Sequence, residues 1–516
     1  MGNHLCSFCQ NRPRLLLWLI IAILLLVYFP ARHIFLFGDD FEILNASVTD
    51  WRAPITLLAP INNFFRPFVK LTFLIDYALF GTRTPFYAAT TFAIHLLNLF
   101  LLFEFVRRHT RSRWSAAATT LLFGISARYS EVTLWASGRG DSLVLTFTLG
   151  ALLLFSSERR LGKAPFHILA GLLCLGAAGS KEAWIILPVL LFGFLMVVRA
   201  IPLRRSLSLS LVPIIVGAMY LFFFLLQPLL LRSGRGRGYA TSDLFSALKR
   251  GGYLLCKYLG VGEAYTAAAW QIALLLALIG GSVFFFVRQK MRFALWALSW
   301  FFLALLPTIF LRYMPSRFSY LPLVGFWLAA VCMVDSGGKA LLRKFSLHPR
   351  LPVMVAVVCV LYYAIYQAAM LRWEIRDYRE LGNFHRSLYH MFLAVRDRLP
   401  DDRPVICLNM GKRQVIDEFS PRVQGYRKLL FIRSEALWQL VYPIPLANFA
   451  GQPLSRPWKS VPLERLAAVL ERPFTILRFN DSGFSLADSF KMPVYQYVKT
   501  HGKLPPRCWA MTRAID

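Results

Sequence analysis

Eleven stretches of this chain are apolar over membrane-spanning or near-spanning lengths: residues 15–37, 85–106, 113–128, 141–157, 165–179, 183–198, 207–231, 268–287, 293–311, 318–334 and 352–371. A transmembrane helix needs about 20 largely apolar residues, somewhat fewer if its ends snorkel. Several segments are short and closely joined, so some pairs read as broken or tilted helices. The first is too long and too aromatic for a cleaved signal peptide, and no small-x-small cleavage site follows it. Composition agrees. Charged residues make up 16% of the 516, whereas a soluble protein of this size has about one-quarter, so there are too few to cover a water-facing surface. Aromatic and β-branched residues run throughout, which excludes intrinsic disorder.

The charge is lopsided, with 58 Lys and Arg against 27 Asp and Glu, a net of +31. A basic, apolar chain suits anionic headgroups or polyanionic substrates. Nucleic acid is the weaker reading, because the basic residues are scattered between apolar runs and form no single stripe. Eight cysteines are too few for a disulfide scaffold.

The short loops set an orientation. Arg107, Arg108, Arg111 and Arg113 form one basic group; Arg159, Arg160 and Lys163 another; then Arg199, Arg204 and Arg205; Arg288, Lys290 and Arg292; and Lys339, Arg343, Lys344 and Arg350. The alternate loops carry about half that density or less, so the positive-inside rule puts the first set and the N-terminus in the cytoplasm. An odd number of spans then puts residues 38–84, 128–140, 179–182, 232–267, 312–317 and everything after about 372 on the far side. The expected architecture is a polytopic α-helical membrane module over residues 1–371, with about 11 transmembrane helices, and an α/β domain over 372–516 outside the cytoplasm. In that tail, 373–399 reads as an amphipathic helix, 434–441 as helical, and 405–408, 429–432, 474–479 and 494–498 as short apolar runs. Cys407 and Cys508 fall in the same oxidising compartment and could pair, which spatial distance decides. Residues 232–238 form a basic, glycine-rich loop, and 243–259 read as a helix on the membrane surface.

Polar residues at the ends of apolar spans are costly and therefore informative. Five clusters stand out, all on the far side. Asp39 and Asp40 follow the first span, with Glu42 beyond them: either a general base or metal ligand at a membrane-embedded cleft, or a solvated helix terminus. Arg66 sits among Asn62, Asn63, Phe64, Phe65 and Pro67, with Lys70 a helical turn later, and either holds a phosphate or snorkels to headgroups. Glu131 precedes Arg139, which Gly138 and Gly140 flank and Asp141 follows: a guanidinium presented to a ligand, or a tight interhelical turn. Ser180, Lys181 and Glu182 occupy a very short connection, where an ion pair and a substrate contact are both open. Arg317, between Tyr313 and Tyr320, suits a leaving phosphate or headgroup anchoring. His95 and Asn98 share a helix face and read more readily as an interhelical hydrogen bond than as catalysts. Cys6 and Cys9 form a lone CxxC without a second pair. No P-loop, dinucleotide fingerprint, HExxH or GxSxG context occurs.

Taken in order, these clusters resemble the C-type (GT-C) membrane glycosyltransferases, and most closely the transmembrane O-mannosyltransferases that carry tetratricopeptide repeats and their bacterial relatives. Phe37, Gly38, Asp39 and Asp40 stand where that family has its paired-acid motif, in the external loop 38–84. Phe65, Arg66 and Pro67 match its Tyr-Arg-Pro motif, and His95 to Asn98 its His/Asn helix. Ser130, Glu131 and Val132, then Gly138 to Asp141, then Ser180, Lys181 and Glu182 match its Thr-Glu-Ala-Val, Gly-Arg-Ala-Asp and Ser-Lys-Glu elements. Arg317 to Phe326, including Tyr320, resembles its Arg-Tyr-Leu-Tyr-Leu-Pro stretch. Three departures stand beside this: Ser316 replaces the acid before the arginine, no repeat with a period of about 34 residues follows, and the tail looks α/β.

The resemblance implies a sugar donor linked through phosphate to a polyprenol and an acceptor hydroxyl on a glycan, lipid or protein. It implies inverting transfer on the non-cytoplasmic face of a bacterial inner (plasma) membrane, as in cell-envelope glycosylation. Asp39 or Asp40 would be the base, with a divalent cation (Mg or Mn) as a further expectation. Arg66, Arg139, Lys181 and Arg317 would meet phosphate charge, with Lys70, Glu131, Asp141, Glu182 and Tyr320 in the substrate-binding set. The alternative is a transporter, flippase or ligase for a lipid-linked anionic glycan.

Overall fold

The computed structural model describes residues 14–37, 39–50, 57–58, 64–81, 83–158, 161–231, 269–309, 315–345 and 350–396, then 405–408, 459–460, 475–480, 483–486, 496, 500 and 508–512. Thirteen longer helical stretches organise the first part. They are α1 Leu15–Tyr28, α2 Asp39–Asp50, α3 Pro67–Phe80, α4 Pro85–Thr110, α5 Arg113–Gly124, α6 Arg139–Ser156, α7 Lys163–Ala178 and α8 Glu182–Val198. α9 Leu203–Leu231, α10 Ala269–Arg288, α11 Arg292–Ile309, α12 Tyr320–Phe345 and α13 Arg350–Arg396 complete them. Each apolar stretch singled out above contains a helix, though 34–37 and 125–126 are not helical. Among the described residues, seven helices are long and apolar enough to cross a membrane, and Lys163–Ala178, Glu182–Val198 and Ala277–Arg288 are shorter apolar helices.

The segment 113–128 departs from the expectation of a span. α5 has 12 residues, about 18 Å at 1.5 Å per residue, against a hydrocarbon core of about 30 Å. The chain turns at Ile125 and Ser126, whose hydroxyl accepts from Arg128 N, and continues as one-turn helices, Ala127–Tyr129 and Ser130–Leu134. Large apolar side chains face outward around the bundle, among them Leu26 at 78% exposure, Ile365 at 70% and Tyr362 at 74%. A surface of that kind is what lipid, and not water, covers.

The helices have two chemically distinct ends. At one end Arg108 Nη1 lies 3.4 Å from Ser157 Oγ, Arg199 donates to Ser156 O and pairs with Glu158, and His109 stacks on Phe293. This gathers four of the basic loops. At the other end of the same helices lie Arg139 and Asp141 on α6, and Tyr87 and Thr91 on α4. α6 has 18 residues, which separates the two ends by about 27 Å.

α13 is one continuous 47-residue helix that runs through position 371/372. Its inner face docks on the polar end: Gln367 Oε1 accepts from Ala127 N at 2.9 Å, Glu374 Oε2 accepts from Ser130 Oγ at 2.9 Å, and Tyr378 packs on Phe37. A Cβ at Gly382 would sit 2.7 Å from Phe35 N, so the glycine allows helix and strand-like backbone to touch. Beyond it, β1 Val405–Leu408, β2 Lys459–Ser460, β3 Thr475–Asn480, β4 Gly483–Leu486 and β5 Cys508–Thr512 form one mixed sheet in the order β2-β5-β1-β3-β4. β1 and β3 run parallel and the other pairs antiparallel. The run at 405–408 and residues 475–479 of the run at 474–479 thus fall on strands, whereas 429–432, 434–441 and most of 494–498 lie outside the described residues. Cys407 pairs in register with Trp509, and Cys508 with Leu408, so the two cysteines are offset by one position. Residues 232–267 and the CxxC at 6–9 also lie outside the described residues.

Candidate active site

The two adjacent carboxylates occupy different environments. Asp39 opens α2 and is exposed, while Asp40, next in the helix, is 1% exposed. Asp40 Oδ2 accepts from Phe37 N at 3.1 Å, and Oδ1 accepts from Ser137 N at 2.7 Å and from Ser137 Oγ. Trp135 Nε1 closes the same junction by donating to Phe37 O at 3.2 Å, and its ring stacks on that of Phe37. The acid loop and residues 135–137 therefore form one clasp. Gly138 makes the turn possible, since a Cβ there would lie 2.1 Å from Glu131 O.

Burial pushes the Asp40 carboxyl up to about 7, against the opposing pull of the Ser137 and Phe37 hydrogen bonds and the charge of Arg139. A carboxyl raised in the folded state gives stability that is present at low pH and is lost as pH climbs from its ordinary range, about 4, through about 7. In detergent, the melting temperature of the wild type is therefore expected to fall between about pH 4 and pH 7 relative to Asp40→Asn, and to level off above that. Identical pH slopes for the two proteins would contradict this.

The cations converge on the same end. Arg317 N donates to Glu131 Oε2 at 2.8 Å, its Nη1 lies 3.6 Å from Glu131 Oε1, and its guanidinium sits 5.5 Å from the Trp135 ring centroid. Lys181 pairs with Asp141 and lies 5.0 Å from the Phe318 ring centroid. Burial holds the Lys181 ammonium below its ordinary range; Asp141 opposes that shift, while Arg317 and Arg66 add to it. Arg66 grips Glu182 with two bonds, Nε to Oε1 at 3.3 Å and Nη2 to Oε2 at 3.0 Å. Phe68 N donates to Gly179 O and so ties the start of α3 to the Lys181 connection. Side-chain exposure is 22% for Arg66, 26% for Glu182 and 14% for Arg317, so these three can meet a ligand from outside.

Several expected substrate contacts are placed elsewhere by burial. Arg139 is fully buried, with Nη1 2.7 Å from Asp76 Oδ2, Nη2 donating to Tyr87 O and Thr91 Oγ1, and Nε donating to Ala136 O. Its guanidinium ties α3, α4 and the start of α6 together and is not presented to a ligand. Tyr320 is also fully buried. Its hydroxyl meets His95 Nδ1 at 2.8 Å, Asn98 Nδ2 at 3.1 Å and Ser142 Oγ at 3.2 Å. His95 and Asn98 thus belong to an interhelical polar cluster, the plainer of the two readings of that pair. Lys70, Glu131 and Asp141 are also buried, at 1%, 1% and 3%.

Both oxygens of Asp40 accept backbone or hydroxyl hydrogens, which leaves the exposed Asp39 as the carboxylate of the pair that could meet a cation from outside. Sequence patterns also left residues unassigned. Asp76 and Thr91 had no motif to mark them, and Asp76 reads as the one acid of a mostly apolar helix.

No protein-family model matches the chain, and no curated protein is similar to it in sequence. Among solved structures it is similar to ArnT from Cupriavidus metallidurans in the apo state, with 14% identity, 96% of this chain and 97% of that chain covered, and a TM-score of 0.53. ArnT from Cupriavidus metallidurans bound to undecaprenyl phosphate matches at 13% identity, 96% and 97% coverage, and a TM-score of 0.48. ArnT is a GT-C glycosyltransferase. Over nearly its whole length, this chain has the fold of that apo ArnT structure.

Proposed function

We propose that the chain is a membrane glycosyltransferase that moves a sugar from a polyprenyl-phosphate-linked donor to an acceptor hydroxyl, with inversion, on the non-cytoplasmic face of a bacterial inner membrane. The observation that supports the reading is the gathering of Arg317, Lys181 and Arg66 at the end of the bundle opposite the basic loops, where Asp40, the neighbour of the exposed Asp39, is held by Ser137 next to Trp135, whose ring Arg317 overlies. By the positive-inside rule those loops are cytoplasmic and the acid end is not. A donor whose sugar lies on that side needs a lipid anchor, a groove among helices and cations at the interface. All three agree with this fold and its charge.

In this reading Asp39 accepts the proton of the acceptor hydroxyl as its oxygen attacks the anomeric carbon. The bond from that carbon to the phosphate oxygen breaks, and the phosphate leaves on the lipid carrying the bonding pair. Arg317 and Arg66, with Lys181 behind them, meet the charge that develops there. Glu131 and Glu182 orient the two arginines, and Asp141 orients Lys181. Asp40 serves as the anchor of Asp39: it fixes the first turn of α2 against Ser137.

Membranes containing the chain and supplied with a polyprenyl phosphate bearing a radiolabelled sugar test the reading. Label leaving the lipid supports it, and label crossing the bilayer still attached to lipid identifies a transporter. Arg317→Ala is expected to lower kcat/KM for the donor by about 10²–10³-fold. An unchanged response to donor concentration would remove Arg317 from the phosphate.

A further inference from the structure

We propose that Arg32, Arg379 and Arg386 hold the phosphate of an anionic phospholipid in the leaflet opposite the basic loops, on the surface where the end of the first span meets α13. Four arginines of α13, Arg372, Arg376, Arg379 and Arg386, follow one another at intervals of four, three and seven residues, which lines them up along one face of a helix. Gly382, three residues after Arg379 and four before Arg386, is where α13 touches Phe35. That contact sets the two arginines beside the 3-10 turn Phe29–His33. Arg32, Arg379 and Arg386 all lie within electrostatic reach of His33, and Arg32 Nε donates to His33 Nε2 at 2.9 Å.

The patch is open and short of anions. Arg32, Arg372, Arg376 and Arg386 are exposed, and Arg379 is half-buried. The acids on this stretch of α13 are engaged: Glu374 accepts from Ser130, and Asp377 and Glu380 lie 3.7 and 4.0 Å from Arg376. Among the described residues, no carboxylate forms an ion pair with Arg32, Arg379 or Arg386. Like charges gathered a helical turn apart repel one another, so the cluster calls for an anion from outside. The oxygens of a phosphate suit the planar fork of arginine.

Depth points to a lipid as the source. The candidate span Leu15–His33 has 19 residues, about 30 Å, which matches the thickness of the hydrocarbon core. Its far end is His33, so Arg32 stands at headgroup level. α13 reaches the same level where Gly382 meets Phe35, at the close of its own candidate span, Met354–Asn383. Trp373, 62% exposed and with Arg376 4.5 Å from its ring centroid, is the kind of aromatic that marks this boundary.

This proposal does not depend on the transferase reading, and its test does not use activity. The full chain is reconstituted in phosphatidylcholine vesicles doped with phosphatidylglycerol or phosphatidylcholine, each carrying a photoreactive group at the same acyl position, and the adducts are mapped by mass spectrometry. Phosphatidylglycerol adducts on residues 29–36 and 372–386 are expected to exceed those of phosphatidylcholine about tenfold. Arg379→Gln with Arg386→Gln is expected to remove most of that excess. Arg32→Gln, on a separate element, carries the test if the double variant fails to fold. Equal labelling by the two lipids, an excess unchanged in the variants, or loss of the excess on adding inorganic phosphate would each overturn the proposal.

Discussion

Asp39→Asn is expected to lower turnover by about 10²–10⁴-fold, the range that general-base assistance supplies, while the protein still inserts and folds. Asp39 is exposed at the start of α2, and the amide is close to the carboxylate in size and shape. Asp40→Asn is different in kind. Oδ1 can go on accepting from Ser137, but the amide nitrogen then faces Phe37 N, one donor against another. Asp40→Asn should therefore loosen the clasp and reduce activity through position, with partial recovery when the neighbouring geometry is restored. Wild-type turnover in Asp39→Asn would refute the base assignment, and a larger loss in Asp40→Asn than in Asp39→Asn would reverse the two roles.

The second large effect concerns Arg139 and Asp76. Both side chains are essentially inaccessible, at 0% and 2%. Removing one partner of a buried ion pair leaves a charge uncompensated and typically costs about 3–5 kcal/mol. Asp76→Asn or Arg139→Gln should therefore lower the unfolding midpoint in detergent sharply. Replacing both, as in Arg139→Met with Asp76→Leu, should recover much of the loss, because an apolar pair of similar volume removes the desolvation penalty too. Midpoints unchanged in both single variants would show that the pair is not what holds α3, α4 and α6 together. Arg139 Nε also donates to Ala136 O, next to Ser137, so these variants should reach the acid clasp as well.

Apolar periodicity and loop charge made the helices legible. Each apolar stretch contains a helix, and the connections at 107–113, 156–158, 199–205 and 288–292 meet at one end because the helices between them run antiparallel. The candidate site was legible as an order of motifs. Asp39, Arg66, Lys181, Glu182 and Arg317 come from distant stretches and share one end of the bundle. What sequence left hidden is which face each polar residue takes. Arg139 and Arg317 look alike as interfacial arginines. Only packing reveals that Arg139 is enclosed by Asp76, Tyr87 and Thr91, while Arg317 keeps an accessible edge. The break expected near residue 371 is a change of polarity and not of helix. The first proline after Arg372 is Pro400, and at Gly382 the glycine serves a close approach to Phe35 and not a stop.

The fate of a doubly labelled donor tests the central claim most directly. A polyprenyl phosphate carrying one label in the sugar and another in the phosphorus is supplied to membranes containing the full chain. The account predicts that the labels part: sugar label joins the acceptor, phosphorus label stays on the lipid as a monophosphate, and Asp39→Asn stops the separation. Labels that remain joined, whether moved across the bilayer or passed together to an acceptor, would contradict it.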